Sequence, residues 1–421
     1  MISAGSLKGK VAMDLTITPR LLSGSVSVPA SKSMAHRAII CAALAAGTSH
    51  LTAVSTSKDI EATCSIMRAF GASCTAEGTS LTVTGIASAP AEATADCCES
   101  GSTLRFLIPV AAALGIKATF LGQGRLPERP ITPYLRELSK KGITFAYENT
   151  MPFTIEGQLQ PGRFELEGDI SSQFITGLLL ALPLLEGDSE IFMTSALQSK
   201  PYADMTIDCM AKFGVTVTET ETGYHIPGNQ QYRPADMQIE GDFSQAAFFF
   251  AANALGSSIT LENLPEKSAQ GDRKVVEILS DMWYNSKEET LEISAEDIPD
   301  IVPILSVAAS LAPRVTRIVH AERLRIKESD RIETTAAMLR ALGGEVEILP
   351  DGLEIHPVKA FTGGTVNSAG DHRIAMSAAI AATRAEGEVT ILGADSVRKS
   401  YPDFFKDYRN LGGVANGIHL E

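Results

Sequence analysis

SKSMAHRAIICAALAAG, Ser31 to Gly47, opens on hydroxyl and charged side chains and then turns apolar around its whole circumference. Five later stretches repeat the design: ESGSTLRFLIPVAAALG (Glu99–Gly115), DISSQFITGLLLALPLLEG (Asp169–Gly187), DFSQAAFFFAANALG (Asp242–Gly256), DIPDIVPILSVAASLAP (Asp297–Pro313) and DHRIAMSAAIAATRAEG (Asp371–Gly387). Copies recur at roughly 60 to 70 residues, longer than a solenoid repeat and close to one small βαβ unit. A helix without a polar face has to be buried on every side. A second, one-sided helix follows each copy and usually ends at glycine, as in DIEATCSIMRAFG, ITPYLRELSKKG, YADMTIDCMAKFG and RIETTAAMLRALGG. Gly71, Gly142, Gly214 and Gly343 suit helix ends that need positive φ. The fourth copy, around DMWYNSKEE, lacks that glycine and fits the pattern least well. Six units split three and three predict two similar α/β domains with buried central helices. The stretch TGYHIPGNQQYRPADM (Thr222–Met237), with its prolines and glycines, marks a crossing between them.

The whole chain agrees. Its 421 residues exceed one ordinary core, and 44% apolar against 20% charged residues is a globular balance. A net charge of -14 repels nucleic acid and anionic membrane but leaves room for a small anion in a locally basic cleft. The six cysteines, Cys41, Cys64, Cys74, Cys97, Cys98 and Cys209, show no CxxC and no paired pattern, so neither a zinc site nor a disulfide framework is indicated. Reduced thiols in a cytoplasmic setting are expected. The N-terminus lacks a continuous apolar run and reads as no secretory signal, and no apolar run is long enough to span a membrane.

Each buried helix begins with a hydrophilic cluster, and a helix start presents free N–H groups with positive dipole character. Six such starts meeting on one cleft would make an anion trap. Capping alone accounts for Asp242 and Asp297. Several other openings hold Lys, Arg or His alongside the cap, which capping does not require. Lys32 and Ser33 open the first helix with Arg37 one turn on, a set suited to phosphate or carboxylate, although a solvated helix start explains it equally well. Gly101 stands at the second helix entry, with Arg105 one turn in. Arg125 and Arg129 sit in GQGRLPERPI, where prolines stiffen the loop. Ser171, Ser172 and Gln173 are a neutral hydrogen-bonding set, and Ser199, Lys200 and Tyr202 precede another helix; a surface turn is the plainer account of each. In RLRIKESDRIETTAAMLRALGG, Lys327, Glu328 and Arg331 share one face if the segment is helical. A carboxylate held between two cations suits acid–base work; a salt-bridged surface helix suits it too. Asp300 is either a helix-start acid or a base in the cleft, and His372 with Arg373 opens the sixth helix ahead of Lys399. The recurrence of cations at one structural place in an acidic protein is the argument for a site.

The strings PASKSxxHR, SGSTLRFL, RLPERPI, DISSQFITGLLLALP, SKPYxDMT, EGDFSQAAFFxAA, IPDxVPxLxVAA, KESDRI, GDHRIAM and KSYPDFF together resemble the 5-enolpyruvylshikimate-3-phosphate synthases, in that family's order and over nearly the whole chain. The resemblance implies two domains, 31–238 and 1–30 with 239–421, each of three βαβαββ units, and an active site in the cleft between them. It implies transfer of the enolpyruvyl group of phosphoenolpyruvate to the 5-hydroxyl of shikimate 3-phosphate, with phosphate released, no cofactor or metal, and a monomer. Carried over position by position, Lys32, Ser33, Arg37, Ser171, Ser172, Gln173, Ser199, Tyr202, Asp300 and Lys327 would hold shikimate 3-phosphate. Lys32, Gly101, Arg129, Gln173, Arg331, Arg373 and Lys399 would surround phosphoenolpyruvate. Asp300 would take the hydroxyl proton and Glu328 would serve the methylene carbon, with Lys32 and His372 as secondary proton carriers.

Three positions depart from the family's common pattern: Glu99 for Asn, Phe106 for Pro, and Arg323 where some members have Asn. An acid at 99 would oppose an anion unless it points away or is paired. The related UDP-N-acetylglucosamine enolpyruvyl transferases usually carry Lys-Asn at the first motif and a loop cysteine, whereas this chain has Lys32-Ser33 and no Cys between Cys98 and Cys209. A nucleic-acid-end enzyme on related units is opposed by the acidic charge and the lack of a basic, aromatic-interleaved stripe.

Overall fold

Every one of the six apolar stretches is a helix in this computed structural model, which describes residues 13–54, 57–285 and 289–417. The N-terminal stretch read for a signal lies outside the described residues up to position 12. The helices are Lys32–Leu44, Gly101–Ala113, Ser172–Ala181, Phe243–Ala254, Val302–Leu311 and His372–Ala381, each sunk in the core along nearly its full length. Side chains of Ser31, Ser100, Ser171, Asp242 and Asp371 cap five of them by accepting from first-turn N–H groups.

Asp297 does not cap the fifth. That helix starts at Val302, after Ile301, with Pro303 in its first turn where no N–H is needed. Asp297 pairs instead with Lys274 at 3.0 Å.

Covering helices Lys58–Ala69, Thr132–Ser139, Lys200–Lys212 and Arg331–Ala341 lie over sheets, and the glycines after them, Gly71, Gly142, Gly214 and Gly343, have φ of 106°, 90°, 79° and 82°. The fourth copy is irregular: Val275–Ser280 is a short helix that widens into a π-helical turn, Asp281–Asn285.

The unit repeats as strand, buried helix, parallel strand, covering helix, and a hairpin whose second strand pairs back on the first pair. Strands Glu92–Asp96, Lys117–Leu121, Phe153–Gly157 and Ile143–Ala146 neighbour one another in that order, and Thr290–Ser294, Val315–Val319, Gly352–His356 and Glu345–Leu349 repeat it. Two sheets borrow a strand from far along the chain. Met237–Gln238 runs parallel to Thr48–Thr52, and Leu15–Thr18 lies between Val389–Leu392 and Val414–Gly417. Ser23–Val26 pairs with Ser258–Leu261.

Two hydrophobic clusters result, one built from residues between Met34 and Ile239, the other from Leu15 to Val28 and Ala246 to Ala415. The chain passes between them twice, side by side: Ser31 N–H donates to the Glu240 carbonyl at 2.7 Å and Asp242 N–H to the Pro29 carbonyl at 2.9 Å. Among the described residues no helix is long and apolar enough to cross a membrane.

Candidate active site

All six buried helices aim their N-terminal ends at one cleft between the two clusters. Ser31, Lys32 and Ser33 line it from the first helix, Ser102 and Arg105 from the second, and Ser171, Ser172 and Gln173 from the third. Asp242, Ser244 and Gln245 come from the fourth, Pro299 and Asp300 precede the fifth, and His372 and Arg373 open the sixth. Arg37, Arg129, Ser199, Tyr202, Lys327, Glu328 and Arg331 complete the sequence-predicted residues on its walls.

On the wall built by the first half, Arg37 and Arg105 sit against neutral partners, while Lys32 faces a carboxylate. Arg37, 2% exposed, donates Nε to Thr206 Oγ1 at 2.7 Å, Nη1 to the Ser33 carbonyl at 2.6 Å, and Nη2 to the Tyr202 carbonyl at 2.9 Å and Thr176 Oγ1 at 3.2 Å. Burial pulls its pKa to about 10. Phe106, the departure from proline, lies under that guanidinium at 5.1 Å. Arg37 thus contributes charge to the wall, while most of its N–H groups are spent on protein. Arg105 donates to Gln173 Oε1 at 2.7 Å, and Gln173 Nε2 donates to Ser102 Oγ at 2.9 Å, which fixes the amide's orientation. Lys32 pairs with Asp59 at 2.8 Å; burial pulls the ammonium down, but Asp59 outweighs it and holds the pKa above the ordinary lysine value.

Gly101 does not line the cleft, yet its role is legible: a Cβ there would sit 2.6 Å from Arg129 Nη1. Only a hydrogen lets that guanidinium lie against the helix entry. Arg129 Nε is buried without a hydrogen-bond partner.

The opposite wall is a lattice of opposed charges. Arg331, 1% exposed, donates Nη1 to Asp300 at 2.8 Å, Nη2 to Glu328 at 2.7 Å and Nε to Asp371 at 2.9 Å. Arg373 Nη2 reaches the other oxygen of Asp300 at 3.0 Å, and its Nε and Nη1 are buried without partners. Arg129 approaches Glu328 from the first half at 3.8 Å.

Lys327, Glu328 and Arg331 do not share a helical face. Glu322–Ile326 is a 3-10 turn, Lys327 is extended, and the helix begins at Arg331. Asp330 caps it through Glu333 N–H, an Asp-x-x-Glu start that the sequence DRIE carries. All three side chains line the cleft nonetheless, with Glu328 and Arg331 bonded to each other.

Electrostatics separate the proton-handling candidates. Burial would raise the Asp300 and Glu328 carboxyls, but Arg373, Lys327 and Arg331 hold Asp300, and Arg331 and Arg129 hold Glu328, well below the usual range. Both are ionised and positioned. Burial drives His372 down to about 3, so its imidazole is neutral, and its Nδ1 has no hydrogen-bond partner. Lys32 stays protonated and can donate. Burial lowers Lys327 to about 8.

Lys399 stands apart. It neither lines the cleft nor touches it, and pairs with Glu99 at 2.9 Å across the two halves. The acid at 99 is therefore paired, with a lysine.

A family model described as EPSP synthase (3-phosphoshikimate 1-carboxyvinyltransferase) matches residues 17–408. The chain belongs to the EPSP synthase family. A 3-phosphoshikimate 1-carboxyvinyltransferase of Clostridium perfringens (strain ATCC 13124) is 45% identical over 418 residues, covering 95% of this chain and 99% of the relative. One from Clostridium kluyveri is 44% identical over 414 residues, covering 95% and 97%. A solved EPSP synthase from Acinetobacter baumannii superposes with a TM-score of 0.81 at 26% identity, covering 97% of this chain and all of that one.

Within this EPSP synthase family member, several cleft residues escaped the motif reading. Arg323, noted only as a departure, donates to Ser199 Oγ at 2.8 Å and lines the cleft. Asp272 is 6% exposed on the wall, and burial with Asp300 alongside pushes its carboxyl well above the usual range. Asp371, read as part of a helix entrance, is the fully buried anchor of Arg331. Position in a cap or a turn gave no local signal for any of the three. Among the described residues no group of three or more His, Cys, Asp or Glu could hold a metal ion.

Proposed function

We propose that the chain transfers the enolpyruvyl group of phosphoenolpyruvate to the 5-hydroxyl of shikimate 3-phosphate and releases phosphate, in the shikimate pathway. The observation that carries this reading is the convergence of Lys32, Arg129, Arg331 and Arg373 with Asp300 and Glu328 on one cleft in a member of this family. Two anions need that much positive charge, and addition followed by elimination needs groups that move protons on both.

In the addition, the 5-hydroxyl oxygen bonds to C2 of phosphoenolpyruvate while C3 gains a proton and becomes a methyl group. In the elimination, C3 loses a proton and the C2–O bond to phosphate breaks. Asp300 takes the hydroxyl proton, and Glu328 serves C3 with the protonated Lys32 as donor. Ser33, Ser171, Ser172, Gln173, Ser199, Tyr202, Lys327 and the charge of Arg37 receive shikimate 3-phosphate. Arg129 beside Gly101, with Gln173, Arg331, Arg373 and Lys399, receives phosphoenolpyruvate. The two halves, 31–238 and 1–30 with 239–421, act as domains that close on both, in a cytoplasmic monomer without a cofactor.

A phosphate-release assay in chelator, offering shikimate 3-phosphate and UDP-N-acetylglucosamine in turn, tests this. Release with the first acceptor alone is expected. Release only with the second, or only after a divalent ion is restored, refutes it.

A further inference from the structure

Each cation assigned to phosphoenolpyruvate meets a carboxylate in this structure: Lys32 faces Asp59, Arg129 faces Glu328, Arg331 and Arg373 face Asp300, and Lys399 faces Glu99. Three of these pairs have both partners on the cleft, and in the fourth Lys32 lines it with Asp59 behind. The fifth differs in kind. Glu99 and Lys399 lie outside the cleft lining, with side chains 51% and 34% exposed, and join the two halves. Glu99 lies just ahead of Ser100, which caps the helix that Gly101 opens against Arg129. Its carboxylate rests over Gly124, where a Cβ would lie 3.1 Å from it. The Glu99 side chain is thus seated on one half with its charge turned to the lysine of the other.

We infer that Glu99 is a specificity-determining residue that competes with phosphoenolpyruvate for Lys399 and so sets the affinity for that substrate. The inference rests on the functional reading above, which gives Lys399 to phosphoenolpyruvate. One ammonium cannot serve two anions at full strength, so a substrate anion drawing Lys399 inward has to break the bond to Glu99. An exposed pair contributes little, so the effect is modest in size but definite in sign. The opposing role, a latch that favours binding by holding the halves together, predicts the reverse sign.

The test is Glu99→Gln in the full chain, with KM for phosphoenolpyruvate measured at saturating shikimate 3-phosphate, in the wild-type and the Lys399→Met backgrounds. The expected result is KM lowered about two- to fivefold in the first background and unchanged in the second. KM unchanged or raised by Glu99→Gln in the wild-type background overturns the inference. An equal drop in both backgrounds also overturns it, since the charge would then act on the substrate without Lys399. Wild-type protein that turns over normally while the variants respond wrongly refutes the inference alone; no turnover in the wild type refutes the functional reading and takes this inference with it.

Discussion

The buried arginines of the cleft's two walls, Arg37 and Arg105 on one and Arg331 on the other, hold positive charge in opposite ways. In the first half, Arg37 and Arg105 are buried against hydroxyls, carbonyls and an amide, and burial pulls both to about 10. In the second half, Arg331 is buried against three carboxylates, which outweigh burial and push it above the ordinary arginine value. A cation among neutral dipoles keeps its field for a ligand. A cation among carboxylates spends its field on fixing them as ionised groups at defined places. The first arrangement suits recognition of an anion, and the second suits moving protons.

The largest test of that division is Glu328→Gln. It should lower kcat for phosphate release by about 10²- to 10⁴-fold while the KM values move far less; equal losses in both would place Glu328 in binding. Next is Arg331→Ala, which strands the fully buried Asp371. A loss of about 3–5 kcal/mol in unfolding stability is expected by denaturant titration; a loss under about 1 kcal/mol would mean that the lattice relaxes freely. On the first wall, Gly101→Ala forces a Cβ against Arg129, and KM for phosphoenolpyruvate should rise about tenfold with kcat nearly kept. An unchanged KM would show that Arg129 moves aside without cost.

Lys327 gives a pH test. Its folded pKa of about 8 lies below the unfolded value of 10.5, so between these values the unfolded chain binds the extra proton and stability rises with pH. In the same window the folded side chain is neutral. Binding of shikimate 3-phosphate should therefore weaken severalfold above pH about 8 and take up a proton, measurable by calorimetry in two buffers. Binding without proton uptake would remove Lys327 from the phosphate. The smallest effect belongs to Lys200→Ala. Lys200 pairs with Asp204 and Glu219 outside the cleft, so both KM values should stay within about twofold.

Much of the fold was legible because burial writes itself into composition. Ten successive buried residues, Met34 to Ala43, leave no polar stripe, and a helix end at Gly343 needs its positive φ. The cations at helix starts were legible for the same local reason. Pairing across the chain was not. Nothing near Arg37 says that Thr206 and Tyr202 will consume its donors, and nothing near Asp297 says that Lys274 will take its carboxylate. The face shared by Lys327 and Arg331 was the right company for the wrong reason, because a four-residue spacing mimics a helix where the chain actually turns. Asp272 needed the neighbours Asp300 and Asp242, which lie on other segments.

The two passages between the halves bear on mechanics. Ala30 and Gly241 lie opposite each other in an antiparallel bridge, with bonds on both sides to Glu240 and Pro29. A lone connector lets its cargo swivel about a bond. A double ribbon resists being twisted, so the paired crossing restrains how one half can turn against the other. Cutting either strand by itself would leave a lone connector and give up that restraint.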